Sequence, residues 1–286
     1  MKSKSKKSKK IVVSIWDNKR FVVGFTMLMV FVILGFVVSN FSPYDPRSWG
    51  TVPEELPPSL KHPLGTTSLG RDVFWFLAEG IKNSLIIGLV AAIVGGAVGV
   101  TVGITAGFAG GVVDRILMAI TDTFIAVPSL PILILLAFLF KGRASIMVLG
   151  LIISIFSWAW PARQVRAMTL SLRERDYISM AFFSGEKPYK ILFFEIFPHV
   201  VPWTIANFIN AILVAIGQEA TLAVLGLSAL EEATLGTGIY WAMQYQAIFR
   251  ALWWWIASPV VAMIILFVSL FLTSKGLQEH LASRRS

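Results

Sequence analysis

Long uncharged apolar runs alternate with short charged segments along this chain. The runs cover residues 21–38, 83–113, 123–140, 144–161, 196–218 and 251–274. A helix needs about 20 apolar residues to cross the hydrocarbon core of a bilayer. The second run is too long for one simple span, and Gly110 and Gly111 end it with a turn, so that the third span begins near Val113. We therefore predict an all-α, polytopic membrane protein with six transmembrane helices.

Charged and proline-rich segments divide the chain between these runs. Six prolines lie between residues 42 and 80, a composition typical of an ordered loop on the water side of a membrane. We predict a basic cytoplasmic tail at 1–18, a first transmembrane helix at 19–41, an extracytoplasmic loop at 42–80, a five-helix core at 81–275 that contains a cytoplasmic loop at 171–202, and a cytoplasmic C-terminal tail at 276–286.

The distribution of lysine and arginine predicts the orientation. With six spans, 18 of the 25 basic residues fall on the side that holds both termini and the 171–202 loop, and seven fall on the other side. Cytoplasmic loops carry the excess of Lys and Arg in membrane proteins. The prediction is a multi-pass protein of the cell inner membrane with both termini in the cytoplasm.

Composition excludes several classes of protein. Hydrophobic residues make up 56% of the chain and charged residues only 14%, against roughly 25% charged residues in soluble domains. The chain has no cysteine, which excludes thiolate chemistry. Its three histidines are too far apart in sequence to form a metal-binding motif, and the GxxxxGK[ST] motif of an ATP site does not occur. The net charge is +9, but the basic residues flank apolar runs and do not form a separate basic domain that could bind nucleic acid. We expect no enzymatic activity, cofactor, metal or nucleic-acid partner.

The segment 176–202 is too charged to cross a bilayer and too apolar for a solvated connector. We expect Gly185 to divide it into two short helices, Pro188 to stand in the first turn of the second, and Pro198 and Pro202 to stop that helix. Two helices with exposed aromatics resemble a plug for the groove of a partner. A re-entrant or surface-lying amphipathic loop is the alternative. The candidate coupling residues are Asp176, Tyr177, Ala181, Gly185, Pro188, Phe194 and Pro198.

Two acidic residues lie within or at the edge of apolar runs. Asp122 and Glu219 are candidates for lining a translocation path, because a carboxylate at membrane depth is costly and often functional. Structural pairing with a neighbouring helix or with a second subunit is the alternative. Arg163 and Arg166 are expected at a helix end near lipid phosphates. Arg71 and Asp72 are expected to form a structural pair or a cap rather than a ligand site.

Four motifs resemble those of one family, the dipeptide, oligopeptide and nickel permeases of ATP-binding cassette importers. His62–Val73 is similar to the HPLGTDxxGRDV signature, with Thr67 as a departure. Asp114–Pro128 is similar to D-x3-M-x3-D-x5-P, and Glu219–Leu227 to the EAxLSFLGLG element. The stretch from Ser179 to Pro198 occupies the place of the cytoplasmic EAA loop, without its leading Glu-Ala.

The resemblance implies a C-type permease subunit with the type I, MetI-like fold. It further implies pairing with a homologous permease, two cytoplasmic ATP-binding subunits and an extracytoplasmic substrate-binding protein. A stand-alone secondary transporter or channel is the alternative, and it would leave the 176–202 plug without a purpose.

The substrate is less well indicated. Ser228–Gly238 replaces a PPTPEWG-like segment of many peptide permeases. Nearby aromatic residues could stack on sugar rings, although Trp and Tyr also concentrate at membrane interfaces for other reasons; they are Tyr240, Trp241, Tyr245, Trp253, Trp254 and Trp255. These features slightly favour a short oligosaccharide over a peptide, and both stay open.

Overall fold

The computed structural model describes residues 14–140 and 145–283, and within that part it contains helices, turns and loops. The α-helices are α1 Lys19–Phe36, α2 Val73–Ala109, α3 Gly111–Ala126, α4 Ser129–Leu139, α5 Ile146–Ser157, α6 Ala159–Arg173, α7 Asp176–Phe183, α8 Pro188–Lys190, α9 Phe197–Val224, α10 Leu235–Gln244 and α11 Trp253–Ser283. Most of the predicted basic tail lies outside the described residues.

Four helical stretches are long and apolar enough to cross a membrane: Lys19–Phe41, Val73–Ala109, Pro188–Val224 and Trp253–Leu281. Two further spans are broken. Helices α3 and α4 meet at 82°, and α5 and α6 meet at 45°. Counting each bent pair once gives the six spans that the sequence predicts, but the third and fourth are not straight rods.

Several helix ends differ from the predicted ones. Helix α2 begins at Val73, inside the segment assigned to the extracytoplasmic loop, because the carboxylate of Asp72 accepts hydrogen bonds from the backbone N–H groups of Phe74 and Trp75 and caps the helix there. Helix α11 continues to Ser283, through much of the segment assigned to a C-terminal tail.

Close backbone contact holds α2 against the broken helix α5–α6. A Cβ atom added at Gly95, Gly99, Gly103 or Gly107 would lie within 2.7 Å of atoms in Ser157–Thr169. The spacing of four residues puts these glycines on one face of α2. The glycine-rich run therefore provides the close packing that such patterns typically give in membranes.

The first and last helices pack together along the bundle. Gly24 lies against the backbone of α11 at Leu272, and Gly276 lies against Phe21. The amide of Asn18 donates to the carbonyl oxygen of Gly276 at 3.3 Å, and Arg20 forms an ion pair with Glu279. The beginning of α1 and the end of α11 therefore lie at the same end of the bundle.

Buried apolar side chains of α1, α2, α9 and α11 form the main core, with Phe31, Ile81, Ile216 and Leu266 at its centre. Residues 42–72 form an outer cap over α10 and the start of α11. Leu69, Val73, Trp254 and Trp255 are buried together under this cap. The outer cap is thus an ordered part of the fold.

Candidate coupling surface and membrane cavity

Gly185 is the turn of the predicted coupling loop. It closes α7 at φ +77°, a conformation that L-amino acids with a Cβ rarely adopt. The backbone N–H of Glu186 donates to the carbonyl of Ala181, and that of Gly185 donates to Phe182, which is the Schellman pattern of a helix end. Pro188 then begins α8 at its first position. Two short helical segments flank Gly185, as the sequence predicts.

The inner face of this loop is anchored to the membrane helices. Ile178 of α7, together with Ile191 and Ile196, is fully buried against Ile104 of α2 and Val165 of α6. Ala181 packs against the edge of the same cluster. A displacement of α7 must therefore displace α6 and the end of α2 with it, since close-packed side chains yield little.

The outer face of the loop is apolar and uncovered. Phe183 is 92% exposed and Phe194 is 73% exposed. With their exposed neighbours they form what we call the aromatic surface: Tyr177, Met180, Phe183, Tyr189, Phe193 and Phe194. The same segment also exposes charged side chains, among them Asp176, Glu186 and Lys187. An exposed apolar cluster of this size marks an interaction site.

The expectation that Pro198 and Pro202 stop a helix is wrong. Helix α8 continues through a π-helical segment, Ile191–Ile196, directly into α9, with Pro198 in its first turn and Pro202 inside it. A proline cannot donate the hydrogen bond of a regular helix, and the wider π turn before Pro198 accommodates this mismatch. The loop is therefore rigidly continuous with a membrane-spanning helix.

Arg163 and Arg166, expected at a helix end, lie inside α6, and both pair with α3. The guanidinium of Arg166 donates to both carboxylate oxygens of Asp114, at 2.5 and 2.6 Å. Arg163 lies 3.6 Å from Asp122, with both side chains more than half exposed. The two acids of the Asp114–Pro128 motif thus face two arginines of α6. Asp122 remains a candidate path residue, now with a partner.

Glu219 lies fully buried at the end of α9. Its Oε1 accepts hydrogen bonds from the hydroxyls of Ser228 and Thr234, each at 2.8 Å. The amide of Asn83 on α2 donates to the carbonyl of Ala233 at 2.8 Å. This geometry favours the structural alternative, in which Glu219 holds the segment between α9 and α10 in place. It also accounts for Ser228–Gly238, whose hydroxyl groups supply this network.

A cavity of about 360 Å³ lies where the two broken helices meet α9. Among the described residues its lining includes Asn207, Asn210 and Gln218 of α9, but neither Asp122 nor Glu219. Sequence reasoning missed these amides because they carry no charge. Their positions inside an uncharged run, with Asn207 and Asn210 one helical turn apart, are the signal that could have revealed them.

The residues of the His62–Val73 motif make structural contacts within the outer cap. His62 Nδ1 lies 2.6 Å from a carboxylate oxygen of Asp72, and both side chains are buried. Arg71 donates to the carbonyls of Arg47 and Ser48 and lies over the ring of Trp49. Burial lowers the pKa of Arg71 to about 10. The motif therefore builds the outer cap and the start of α2. Of the two expected structural roles, the helix cap is present at Asp72, and Arg71 and Asp72 do not pair with each other.

With this geometry in place, comparison with known proteins decides the family. Residues 99–286 match the model of the family described as binding-protein-dependent transport system inner membrane component. The chain belongs to this family. It is a permease subunit of an ABC importer and a multi-pass protein of the inner membrane, and its family consists of transport permeases rather than enzymes.

The curated relatives agree. The chain is 30% identical over 267 residues to the oligopeptide transport system permease protein OppC of Mycobacterium tuberculosis, covering 92% of this chain and 90% of the relative. It is 32% identical over 212 residues to OppC of Bacillus subtilis, covering 74% and 68% of the two chains. It is 27% identical over 264 residues to the dipeptide transport system permease protein DppC of B. subtilis, covering 92% and 82%.

A solved structure of the MetNI methionine ABC transporter, in an inward facing conformation, shares the fold. The superposition has a TM-score of 0.56 at 17% sequence identity and covers 72% of this chain and 96% of the other. The predicted all-α permease fold of the MetI-like type is confirmed.

Proposed function

We propose that this chain forms half of the solute path of an oligopeptide importer, and that its aromatic surface contacts an ATP-hydrolysing subunit in the cytoplasm. The chain carries no GxxxxGK[ST] motif, so a partner has to supply the energy of ATP hydrolysis. In this arrangement the permease moves the solute and performs no covalent chemistry.

The aromatic surface carries the proposal. Its side chains project from a short helix pair whose other face is buried against α2 and α6. Exposed apolar helices of this kind fit the groove of a partner protein. Asp176, Tyr177, Ala181, Gly185, Pro188, Phe194 and Pro198 are the coupling residues in this proposal. A loop lying on the lipid surface would not need the rigid anchoring through Ile178 and Ile191.

The complete importer in this proposal has four further features. A homologous permease pairs with this chain as a heterodimer, two ATP-binding subunits dock in the cytoplasm, and an extracytoplasmic binding protein delivers the solute. Both termini of this chain face the cytoplasm. Family membership supports the presence of ATPase and binding-protein partners in general, and the lysine and arginine asymmetry supports the orientation.

Peptides are the substrate class that the observations favour. The relatives named above are oligopeptide and dipeptide permeases. Two of the six aromatic residues that favoured a sugar are buried within the fold. Trp254 and Trp255 are only 9% and 3% exposed, and the indole N–H of Trp254 donates to the carbonyl of Thr66. Because these rings are part of the fold, they are not available for stacking on a sugar.

Uptake by the reconstituted importer tests this proposal. Proteoliposomes containing both permeases and both ATPases, with the binding protein and ATP on their respective sides, should accumulate labelled tri-alanine but not maltotriose. Omitting the ATPases should abolish uptake, because this chain has no energy source of its own. Uptake of maltotriose alone would contradict the peptide assignment, and ATPase-independent uptake would favour a stand-alone transporter.

A further inference from the structure

Two helix breaks converge on the membrane cavity beside α9. The break between α3 and α4 contributes Ile125, Val127 and Ser129 to its wall, and the break between α5 and α6 contributes Ser157 and Ala159. In lipid, a broken helix is costly, because its freed backbone groups find no water. Such breaks are tolerated where they line a water-filled cavity, and in transporters they mark solute sites.

The wall opposite the breaks is a polar stripe on one helix. Asn207, Asn210 and Gln218 stand at positions i, i+3 and i+11 of α9, and all three line the cavity. This spacing keeps them on one face of the helix. Asn210 is exposed, and the Oε1 atom of Gln218 is buried without a hydrogen-bond partner among the described residues. We call these three side chains the amide stripe.

The chemistry of the cavity is neutral and amide-rich. None of its fourteen described lining residues is charged, and Phe124, Phe156 and Trp160 supply apolar wall. Each side-chain amide offers both N–H donors and a carbonyl acceptor, the same pair of groups that a peptide unit presents. Without a fixed charge, the cavity has nothing to hold a peptide terminus or an ionised side chain in one place.

We infer that the amide stripe hydrogen-bonds to the peptide bonds of the solute during passage, so that the path recognises peptide backbone and tolerates any side chain. This inference rests on the proposed peptide importer. Asn210 presents its amide to the cavity, and Gln218 gains the partner that its buried carbonyl lacks. The apolar wall accommodates the side chains of the solute without selecting among them.

The test compares two peptides on variants of the assembled importer. One peptide is tri-alanine, and the other is tri-alanine methylated at the peptide nitrogen of its second residue, which removes one backbone donor. Asn210→Leu and Gln218→Met remove the amides at nearly constant size. Asn210→Gln retains an amide, and Asn40→Leu is a matched control, because Asn40 is exposed and its side chain bonds only to the carbonyl of Phe36 in its own helix.

We expect Asn210→Leu to lower tri-alanine uptake by about tenfold, the effect of one lost hydrogen bond of roughly 1.4 kcal/mol. Methylation should then slow uptake by wild type but add little in the variant, because both changes remove the same bond. Asn210→Gln should restore much of the rate, and Asn40→Leu should match wild type. Gel filtration of the complex and its basal ATP hydrolysis check that each variant assembles.

Two failures are distinguishable. A wild-type importer that moves no tri-alanine contradicts the proposed function, and the inference falls with it. If wild type moves tri-alanine but the two changes act independently, or the amide variants transport normally, only the inference is overturned. In that case the stripe contacts water or the partner permease rather than the solute.

Discussion

The buried carboxyl group of Glu219 is stabilised by hydrogen bonds from two hydroxyl groups. Ser228 and Thr234 both donate to its Oε1, and the segment that carries them returns to α2 through the bond from Asn83 to the carbonyl of Ala233. Most buried polar groups in proteins are hydrogen-bonded; here Oε1 of Glu219 is, while Oε2 is buried without a partner among the described residues. The residue therefore connects three parts of the chain: the end of α9, the start of α10 and the outer half of α2.

Replacing Glu219 with Leu should destabilise the protein. Two buried hydroxyls would lose their acceptor, at a cost of about 1–3 kcal/mol, whereas Glu219→Gln retains an amide oxygen for them and should cost less. Thermal unfolding of the purified complex in detergent measures both. Thr221→Val is the control, since Thr221 is exposed on the same helix and bonds only to the carbonyl of Gly217. Normal stability with lost transport in Glu219→Leu would instead favour a path-lining role.

Among the elements, α6 and α9 each join the two candidate sites, and α6 also contacts α3. Helix α6 begins at the break beside the membrane cavity and ends at Arg173, three residues before α7. Fifteen residues of helix span about 22 Å. The Arg166–Asp114 pair fastens α3 to this rod, and α3 ends at the other break of the cavity. Motion of the coupling loop can therefore reach both breaks through α6.

Breaking the Arg166–Asp114 pair should uncouple ATP hydrolysis from transport. Arg166→Gln and Asp114→Asn should each lower the amount of peptide taken up per ATP hydrolysed, by about threefold or more, because α3 no longer follows α6. The double variant should be no worse than either single one, since all three lack the same contact.

Arg163→Gln is the matched control on the same helix. Arg163 is 3.6 Å from Asp122, and both side chains are more than half exposed, a geometry that contributes little. An unchanged ratio of uptake to hydrolysis in Arg166→Gln would refute a role for α3 in coupling.

At the scale of the whole molecule, the number of spans follows from composition but their shape does not. The length of an apolar run predicts whether a helix can cross the membrane, but it does not predict where that helix bends. The break before Pro128 has a local signal, since the residue before a proline avoids the helical conformation, and yet its 82° angle depends on packing. The pairing of Arg166 with Asp114 spans 52 positions of sequence, and no local pattern records it. The Gly185 turn was predictable because its cause is local.

Topology is testable with fused reporters. The beginning of α1 and the end of α11 meet through Asn18 and Gly276, so an even number of crossings separates the termini. We expect a reporter after Lys190 to be cytoplasmic and one after Pro58 to be extracytoplasmic, from the distribution of Lys and Arg. Alkaline phosphatase and green fluorescent protein fusions give opposite readouts of the two sides. Both reporters on one side would contradict the six-span arrangement.

The aromatic surface makes the sharpest prediction about the assembled importer. Gly185 has φ +77°, and a Cβ added there would have no atom of another described residue, apart from its chain neighbours, within 4 Å. A substitution therefore costs about 1–2 kcal/mol in backbone strain but disturbs no packing within the permease. Gly185→Glu additionally places a charge where the proposed contact has to exclude water. Burying an unpaired charge costs several kcal/mol, and about 1.4 kcal/mol already changes an affinity tenfold.

We expect Gly185→Glu to weaken ATPase binding by a hundredfold or more while the permease still inserts and pairs. Gly185→Ala isolates the strain and should weaken binding far less. Gly50→Glu is the matched control, because Gly50 in the outer cap also has a positive φ and open space around its Cβ; it should bind the ATPases normally. Subunit stoichiometry after purification, together with transport-coupled ATP hydrolysis, measures the effect. Full occupancy by ATPases in Gly185→Glu would show that the 176–202 loop is not where they dock, and would favour a loop lying on the lipid surface.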